Sequence, residues 1–315
     1  MSLLDEFYAS LGASSQIEFH EKFMPAQYRG ELYHYTSPAG LTSILLGDPK
    51  AMTLWASRYD VLNDTTEGEV AAKVYKQVCE EIEAPDGINL SAIAPTRTYP
   101  MQATFNGKSK ITRPECERYV CCFSKDADSL PMWNYYAKGN AYEGYNIEVD
   151  TVRLNDSLKR NWQGIEVSSE IYPVIYDEGE QRNLVKSFLQ TVLSQYSASH
   201  ASSVKYAVSN QLDMWRLVFK SKYFEHENEV RVIVRVAKST TTKKSPVAIK
   251  YRTKGMYVVP YIEMKIDKNC VSSVKIGPQQ WNEQQKKHQS ECIANLLKEN
   301  QYSATVSCSE APVRY

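Results

Sequence analysis

The chain has 315 residues, long enough for one large or two medium domains with a substantial core, and its 37 Lys and Arg are matched by 37 Asp and Glu. That balance removes any global electrostatic argument for a nucleic-acid or membrane partner. No apolar run is long enough to span a bilayer, "MSLLDEFYASLG" lacks the features of a secretory signal, and the odd set of cysteines (Cys79, Cys116, Cys121, Cys122, Cys270, Cys292, Cys308) has no Cys-x-x-Cys spacing. A cytoplasmic protein with reduced thiols, no disulfide framework and no protein-built metal centre is expected.

Residues 1–30 read as one or two short helices leading into a strand, "ELYHYT". In "SPAGLTSILLG", Ser37 is placed as an N-cap, Pro38 takes the first helical position and Gly47 stops the helix. "AMTLWAS" is a second strand, and "NDTTEGEVAAKVYKQVCEEIEA" a helix capped by Asp64 with Glu67 three residues on. Residues 85–117, punctuated by Pro85, Gly87, Pro95, Pro100, Gly107 and Pro114, read as one long irregular segment of the kind that forms lids or insertions.

Next come a strand "RYVCCFS", a short helix around "LPMWNYYAKG", and the strands "EGYNIEVD" and "IYPVIYD". Leu184, Phe188, Val192 and Tyr196, with Val185, Leu189 and Leu193 beside them, mark one helix face, and a second helix runs from Ser202 to Lys220. After a valine-rich strand follow "PVAIKYR", "MYVVPYIE" and "SSVKIG", a helix from Gln284 to Glu299, and "YSATVSC". Strands and helices mix without regular βαβ alternation, so the expected class is α+β: one domain over 1–315, with a helical N-terminal segment at 1–30 and a helical insertion at 178–222.

The valine-rich strand lies in "KYFEHENEVRVIV". With a period of two, Val230, Val232, Val234 and Val236 form a core face, while Glu227, Glu229, Arg231 and Arg235 share the other face with Ile233. That second face is either a solvated ladder of weak ion pairs or the floor of a site where two carboxylates do chemistry. From Glu229 to Glu263 no carboxylate intervenes, while Arg231, Arg235, Lys238, Lys243, Lys244, Lys250, Arg252 and Lys254 make a basic strand–loop–strand. It suits phosphates or a nucleic-acid backbone, and equally a lysine-defended edge.

Two further stretches offer groups for a ligand. In "LYHYTS", alternation puts His34 and Thr36 on one face and Tyr33 and Tyr35 on the other, and His34 and Thr36 present two directed hydrogen-bonding groups. In "FSKDADSLPMWNYY", Ser124 leaves a strand, and Trp133 and Tyr136 lie three apart on a helix, a pair that either stacks a planar ring or is core.

Taken in order, "LYHYTS", "LND" with Glu67, "CFS", "MW" with Tyr136, Gly144, "ENEVR" and a terminal Ser309-x-x-Pro312-x-Arg314 resemble a bacterial family known as domain of unknown function 2971, from about residue 31 to the end. Thr65 stands where that family usually has proline, and Val230 where it often has tryptophan.

The same residues resemble, at greater distance, the ADP-ribosyltransferase superfamily, whose members hold NAD between two small antiparallel sheets. That resemblance implies mixed and antiparallel split β-sheets with flanking helices, and NAD as a substrate with no metal. It implies that the strand His34–Tyr35–Thr36, Ser124, Trp133 or Tyr136, and Arg231 hold the dinucleotide, with His34 on the adenosine ribose and Tyr136 or Trp133 on nicotinamide. Glu229 would grip the nicotinamide ribose and stabilise its oxocarbenium-like charge, and Glu227 would deprotonate an acceptor, whether protein, nucleic acid or water. Toxin or phage-defence settings are common for such transferases. Two other classes fit the residues: a non-catalytic nucleotide or nucleic-acid sensor, and a carboxylate-dependent nuclease or glycosidase, the nuclease requiring a divalent metal.

Overall fold

The computed structural model describes residues 3–61, 68–98, 100–105, 108–137, 143–162, 166–238, 245–279 and 281–312. The expected Asp64–Glu67 cap, Lys243, Lys244 and Arg314 lie outside these. In chain order the elements are α1 (Leu3–Ser10), α2 (Gln16–Glu21), β1 (Glu31–Thr36), α3 (Pro38–Leu46), β2 (Met52–Arg58), α4 (Glu69–Cys79), β3 (Met101–Phe105), β4 (Lys108–Thr112), β5 (Cys116–Ser124), α5 (Leu130–Tyr136) and β6 (Tyr145–Asp150). There follow α6 (Thr151–Asn161), β7 (Val167–Pro173), α7 (Glu178–Ser194), α8 (Ala201–Trp215), β8 (Glu229–Ala237), β9 (Lys250–Lys254), β10 (Tyr257–Ile266), β11 (Val271–Ile276), α9 (Glu283–Glu299) and β12 (Thr305–Cys308).

Local chemistry explains many of the boundaries. The Ser37 hydroxyl accepts from the Gly40 amide at 3.1 Å with Pro38 in the first turn, and Asp177 caps α7 at 2.7 Å from the Glu180 amide. Helix α4 has Gly68 at its N-cap, whose φ of +82° suits glycine. Residues 85–117 are not irregular throughout, since β3 and β4 pair in a separate hairpin. Helix α6, unforeseen, follows an Asp150 cap and buries Thr151, Leu154 and Leu158 at helical spacing. The strand expected at "IYPVIYD" ends at Pro173, because the Ile175 amide turns away to bond Val218 at 2.8 Å.

The class is α+β. Ten strands form one branched, open sheet in the order β12-β11-β6-β1-β5-β2-β10-β9, with β8 on β5 and β7 on β8. The β11–β12 pair is parallel; the other named pairs of this sheet are antiparallel. Strand β5 is the fork. One edge runs fully against β8, from Cys116↔Ala237 to Ser124↔Glu229. The other edge is divided: β2 pairs at Ser57↔Val120 and Arg58↔Tyr119, while β1 meets it at Tyr33↔Ser124. Between those points Cys121–Phe123 has neither β1 nor β2 as a ladder partner, and the sheet opens into the arms β1-β6-β11-β12 and β2-β10-β9.

Helices cover both faces. Val230, Val232, Val234 and Val236 pack into a core with residues of α3, α6 and α9. On the opposite side Ile233 and Ala237 join a second core built by α1, α2, α4, α7 and α8. Every residue of β8 is therefore buried, so neither face is a solvated ladder, and the strand begins only at Glu229. Its charges on the second face are paired, Arg235 with Glu170 and Arg231 with Glu229. Basic residues lie on the successive strands β8 and β9, but the two do not pair with each other, because β9 pairs with β10 and β8 with β5 and β7.

Candidate functional site

A cavity of about 570 Å³ occupies the fork. Its walls include Tyr33–Ser37 of the β1 end, Thr53–Trp55 and Ser57 of β2, Val120–Phe123 of β5, and Arg252 and Val259 on β9 and β10. Tyr135 and Tyr136 of α5, with Lys220, Phe224, Glu227, Glu229 and Arg231, complete it. The structure thus brings His34, Tyr35, Thr36, Tyr136, Glu227, Glu229 and Arg231 to one concave surface from segments far apart in sequence.

His34 occupies the gap in the ladder. Its Nδ1–H donates to the Cys122 carbonyl at 3.2 Å, satisfying an acceptor on the β5 edge between the β1 and β2 contacts, and its ring stands edge-on to Phe123. Burial, then the nearby Arg252 charge, lowers its pKa despite that hydrogen bond. A neutral ring donating through Nδ1 presents Nε2 as an acceptor.

The carboxylate end is a compact ion cluster. Glu229 receives the Arg231 guanidinium in two bonds, Nε to Oε1 at 2.9 Å and Nη2 to Oε2 at 3.0 Å, and Lys220 Nζ at 2.8 Å. Lys220 also meets Glu227 Oε2 at 2.5 Å. Burial pushes the Glu229 carboxyl up, but Arg231 and Lys220 outweigh it and hold the group at about 2. Burial likewise disfavours the Lys220 charge, yet the two carboxylates raise its pKa. Burial, followed by Glu227, Cys122 and Glu229, raises the Tyr136 hydroxyl, which stays protonated beside them. Glu227 and Glu229 are not alternate residues of one strand, as the alternation predicts. Glu227 ends a 3-10 turn, and Asn228, at φ +43°, reverses the chain so that both carboxylates close on Lys220.

The remaining predicted residues do other work. Trp133 is fully buried against Tyr35, so it offers no face for stacking, and its indole donates to Asp128 Oδ1 at 2.7 Å. Ser309 also donates to Asp128, at 2.5 Å, which accounts for both motif residues as one scaffold beneath α5. The buried Ser124 donates to the Glu227 carbonyl at 2.8 Å and accepts from the Asp126 amide. Tyr35 contributes ring surface, but its hydroxyl is held between the Asp126 carbonyl and the Ser129 amide. Arg231, which the resemblance implies as a phosphate contact, directs Nε and Nη2 to Glu229 and Nη1 to the Leu217 carbonyl. Thr36 is packed by Gly40, where an added Cβ would lie 2.0 Å from its Oγ1. Gly144 allows a similar approach, since a Cβ there would stand 2.8 Å from the Thr36 carbonyl.

Sequence reasoning missed Lys220 and Cys122 as members of the site. The one signal for Lys220 is a lone cation after the apolar run "LVF". It comes to the cavity because the chain leaving α8 is tied back to the start of the insertion: Lys220 N bonds Ile175 O at 3.1 Å, and Gln181 clamps both carbonyls. Among the described residues no group of three or more His, Cys, Asp or Glu side chains is arranged to hold a metal, and no helix is long and apolar enough to cross a membrane.

No curated protein and no solved structure matches the chain. A family model does match, over residues 132–232, rather than from residue 31 onward. The matched stretch contains α5 from Met132 on, with Tyr136, and Lys220, the Glu227–Glu229 pair and Arg231, and leaves out His34 and Ser124. This stretch, with the carboxylate end of the cavity, is similar to the family described as "Protein of unknown function (DUF2971)".

Proposed function

We propose that the cavity binds NAD and breaks its nicotinamide glycosidic bond, transferring ADP-ribose to a macromolecule or to water, in the manner of an ADP-ribosyltransferase. The observation that carries this reading is the meeting of His34, Tyr136 and Glu229 in one cavity at the fork of the sheet. In this reading the two arms of the fork take the place of the split sheets, Tyr136 stacks on nicotinamide, and His34 Nε2 accepts from a ribose hydroxyl. Glu229 stays ionised far below neutral pH, as a stabiliser of a developing oxocarbenium must. Glu227, the less buried carboxylate, serves as base toward the acceptor.

A second reading has its own support. Arg231 and Lys220 already neutralise Glu229, which weakens its field on a ribose and suits a binding protein that senses a nucleotide without cleaving it. Incubation with NAD labelled in both the nicotinamide and adenylate halves separates the readings. Free nicotinamide in excess over enzyme supports the transferase reading, and the adenylate label then reports whether a macromolecule or water accepts. Saturable binding of intact NAD with no nicotinamide release would establish the sensor.

A further inference from the structure

Four of the basic residues after Glu229 are neutralised. Arg231 pairs with Glu229, Arg235 with Glu170, Lys238 with Glu115 and Glu117, and Lys250 with Glu263 at 2.8 Å. Arg252 differs. It makes no ion pair among the described residues, and its Nε is buried without a hydrogen-bond partner. The guanidinium is nonetheless held in place: Nη2 donates to Ser57 Oγ at 2.8 Å, and Cζ lies 5.5 Å from the centre of the Trp55 ring, which is itself stacked on Tyr261. Among the described residues the charged ones lining the cavity are Lys220, Arg231 and Arg252 against Glu227 and Glu229, so among these the cation left over is Arg252. Pairing of β9 with β10 and of β10 with β2 places Arg252, Val259, Tyr261, Ser57 and Trp55 on the cavity side of that arm. Thr36, Ser37, Ser43 and Thr53 add hydroxyl-bearing residues to the lining.

From this we infer that Arg252 forms a phosphate subsite, at the opposite chemical pole of the cavity from the carboxylates, and that the ligand is a phosphorylated nucleotide rather than a nucleoside. A positioned guanidinium with unspent donors in a partly dehydrated wall is the arrangement that recognises a phosphoryl oxygen. His34, neutral and close enough to be influenced by Arg252, contributes an acceptor to a hydroxyl and not a charge to the phosphate. This inference rests on the nucleotide-binding reading above but assigns the phosphate to Arg252 in place of Arg231.

The test is calorimetric titration of the full chain and of Arg252→Met and Arg252→Lys with NAD, nicotinamide riboside and inorganic pyrophosphate. Circular dichroism first verifies that the variants fold. NAD and pyrophosphate should bind Arg252→Met about ten- to hundredfold more weakly than the unsubstituted protein, nicotinamide riboside should be unaffected, and Arg252→Lys should recover part of the loss. Pyrophosphate that binds, and weakens in Arg252→Met, supports the subsite even if NAD itself does not bind, in which case the dinucleotide reading alone fails. Equal NAD affinity for Arg252→Met and the unsubstituted protein overturns the subsite while leaving NAD binding standing. Failure of both NAD and pyrophosphate to bind the unsubstituted protein overturns both.

Discussion

Asn228 shows how much of the site depends on single residues. A left-handed conformation between the last 3-10 turn and β8 aims Glu227 and Glu229 at one lysine, and the Asn228 side chain fixes the reversal by donating to Asp126 Oδ1 at 2.9 Å. Asn228→Gly should keep the left-handed turn and lose only the bond to Asp126, whereas Asn228→Val should lose about 1–3 kcal/mol more because a β-branched residue is strained there. Chemical denaturation of the two variants checks the contrast.

His20 makes a second residue-scale prediction. Its ring, buried between the Tyr8 hydroxyl at 2.8 Å and Gln211 Oε1 at 2.7 Å, is lowered by burial from 6.5 to about 4. Between those values the unfolded chain takes up a proton that the folded chain does not, so stability falls as pH drops from 6.5 to 4, by on the order of 3 kcal/mol. Glu229 acts in a lower window: its depressed carboxyl contributes fully above 4.5, and that contribution is lost as pH falls toward 2. Urea titrations across pH should show the upper slope in the unsubstituted protein and not in His20→Gln; an unchanged slope would contradict the assignment. At this scale the meeting of His34, Tyr136 and Glu229 in one cavity was legible from their motifs. Trp133 was misread because spacing of three on a short helix does not reveal which residue faces the sheet.

At the scale of elements, the helices α7 and α8 are what turn a charged strand into a buried cluster. Helices α7 and α8, with α1, α2 and α4, roof the face of β8 that carries Glu229, Arg231 and Arg235, and the chain leaving α8 delivers Lys220. Alternation in "EVRVIVRV" states that two faces differ, but the roof comes from residues near 3–21 and 178–215, which no local pattern connects to that strand. The Ser37 cap was accessible because capping is a local interaction; Asp177 as the cap of α7 and Gly68 as the N-cap of α4 were not read. Lys220→Met should cost about 3–5 kcal/mol, because it strips a counter-ion from two carboxylates in a largely buried cluster. Phe188→Ala, which empties the centre of an aromatic group with Phe19, Phe23 and Trp215, should cost a similar 3–5 kcal/mol or so, while leaving the cavity walls untouched. Thermal unfolding of both variants, beside NAD affinity for Phe188→Ala, checks that the two effects separate.

For the whole molecule, the α+β class followed from the order of elements, while the branching of the sheet did not. The fork depends on which strand shares the β5 edge, a pairing between residues near 33, 57 and 122 that hydrophobic patterning leaves open. It also decides the function proposed, for it opens a cavity lined by the Glu227–Glu229 cluster and by Arg252, which has no ion pair among the described residues. The measurement that tests this account most directly is nicotinamide release from NAD, per folded molecule, by the unsubstituted protein and by Glu229→Gln. It should be made below both melting temperatures, since the amide also removes a counter-ion of Arg231 and Lys220. The account predicts release by the unsubstituted protein and a fall of about 10²–10³ in the variant. Release at equal rates, or none from either protein, would contradict it and leave Glu229 as the buried partner of two cations and nothing more.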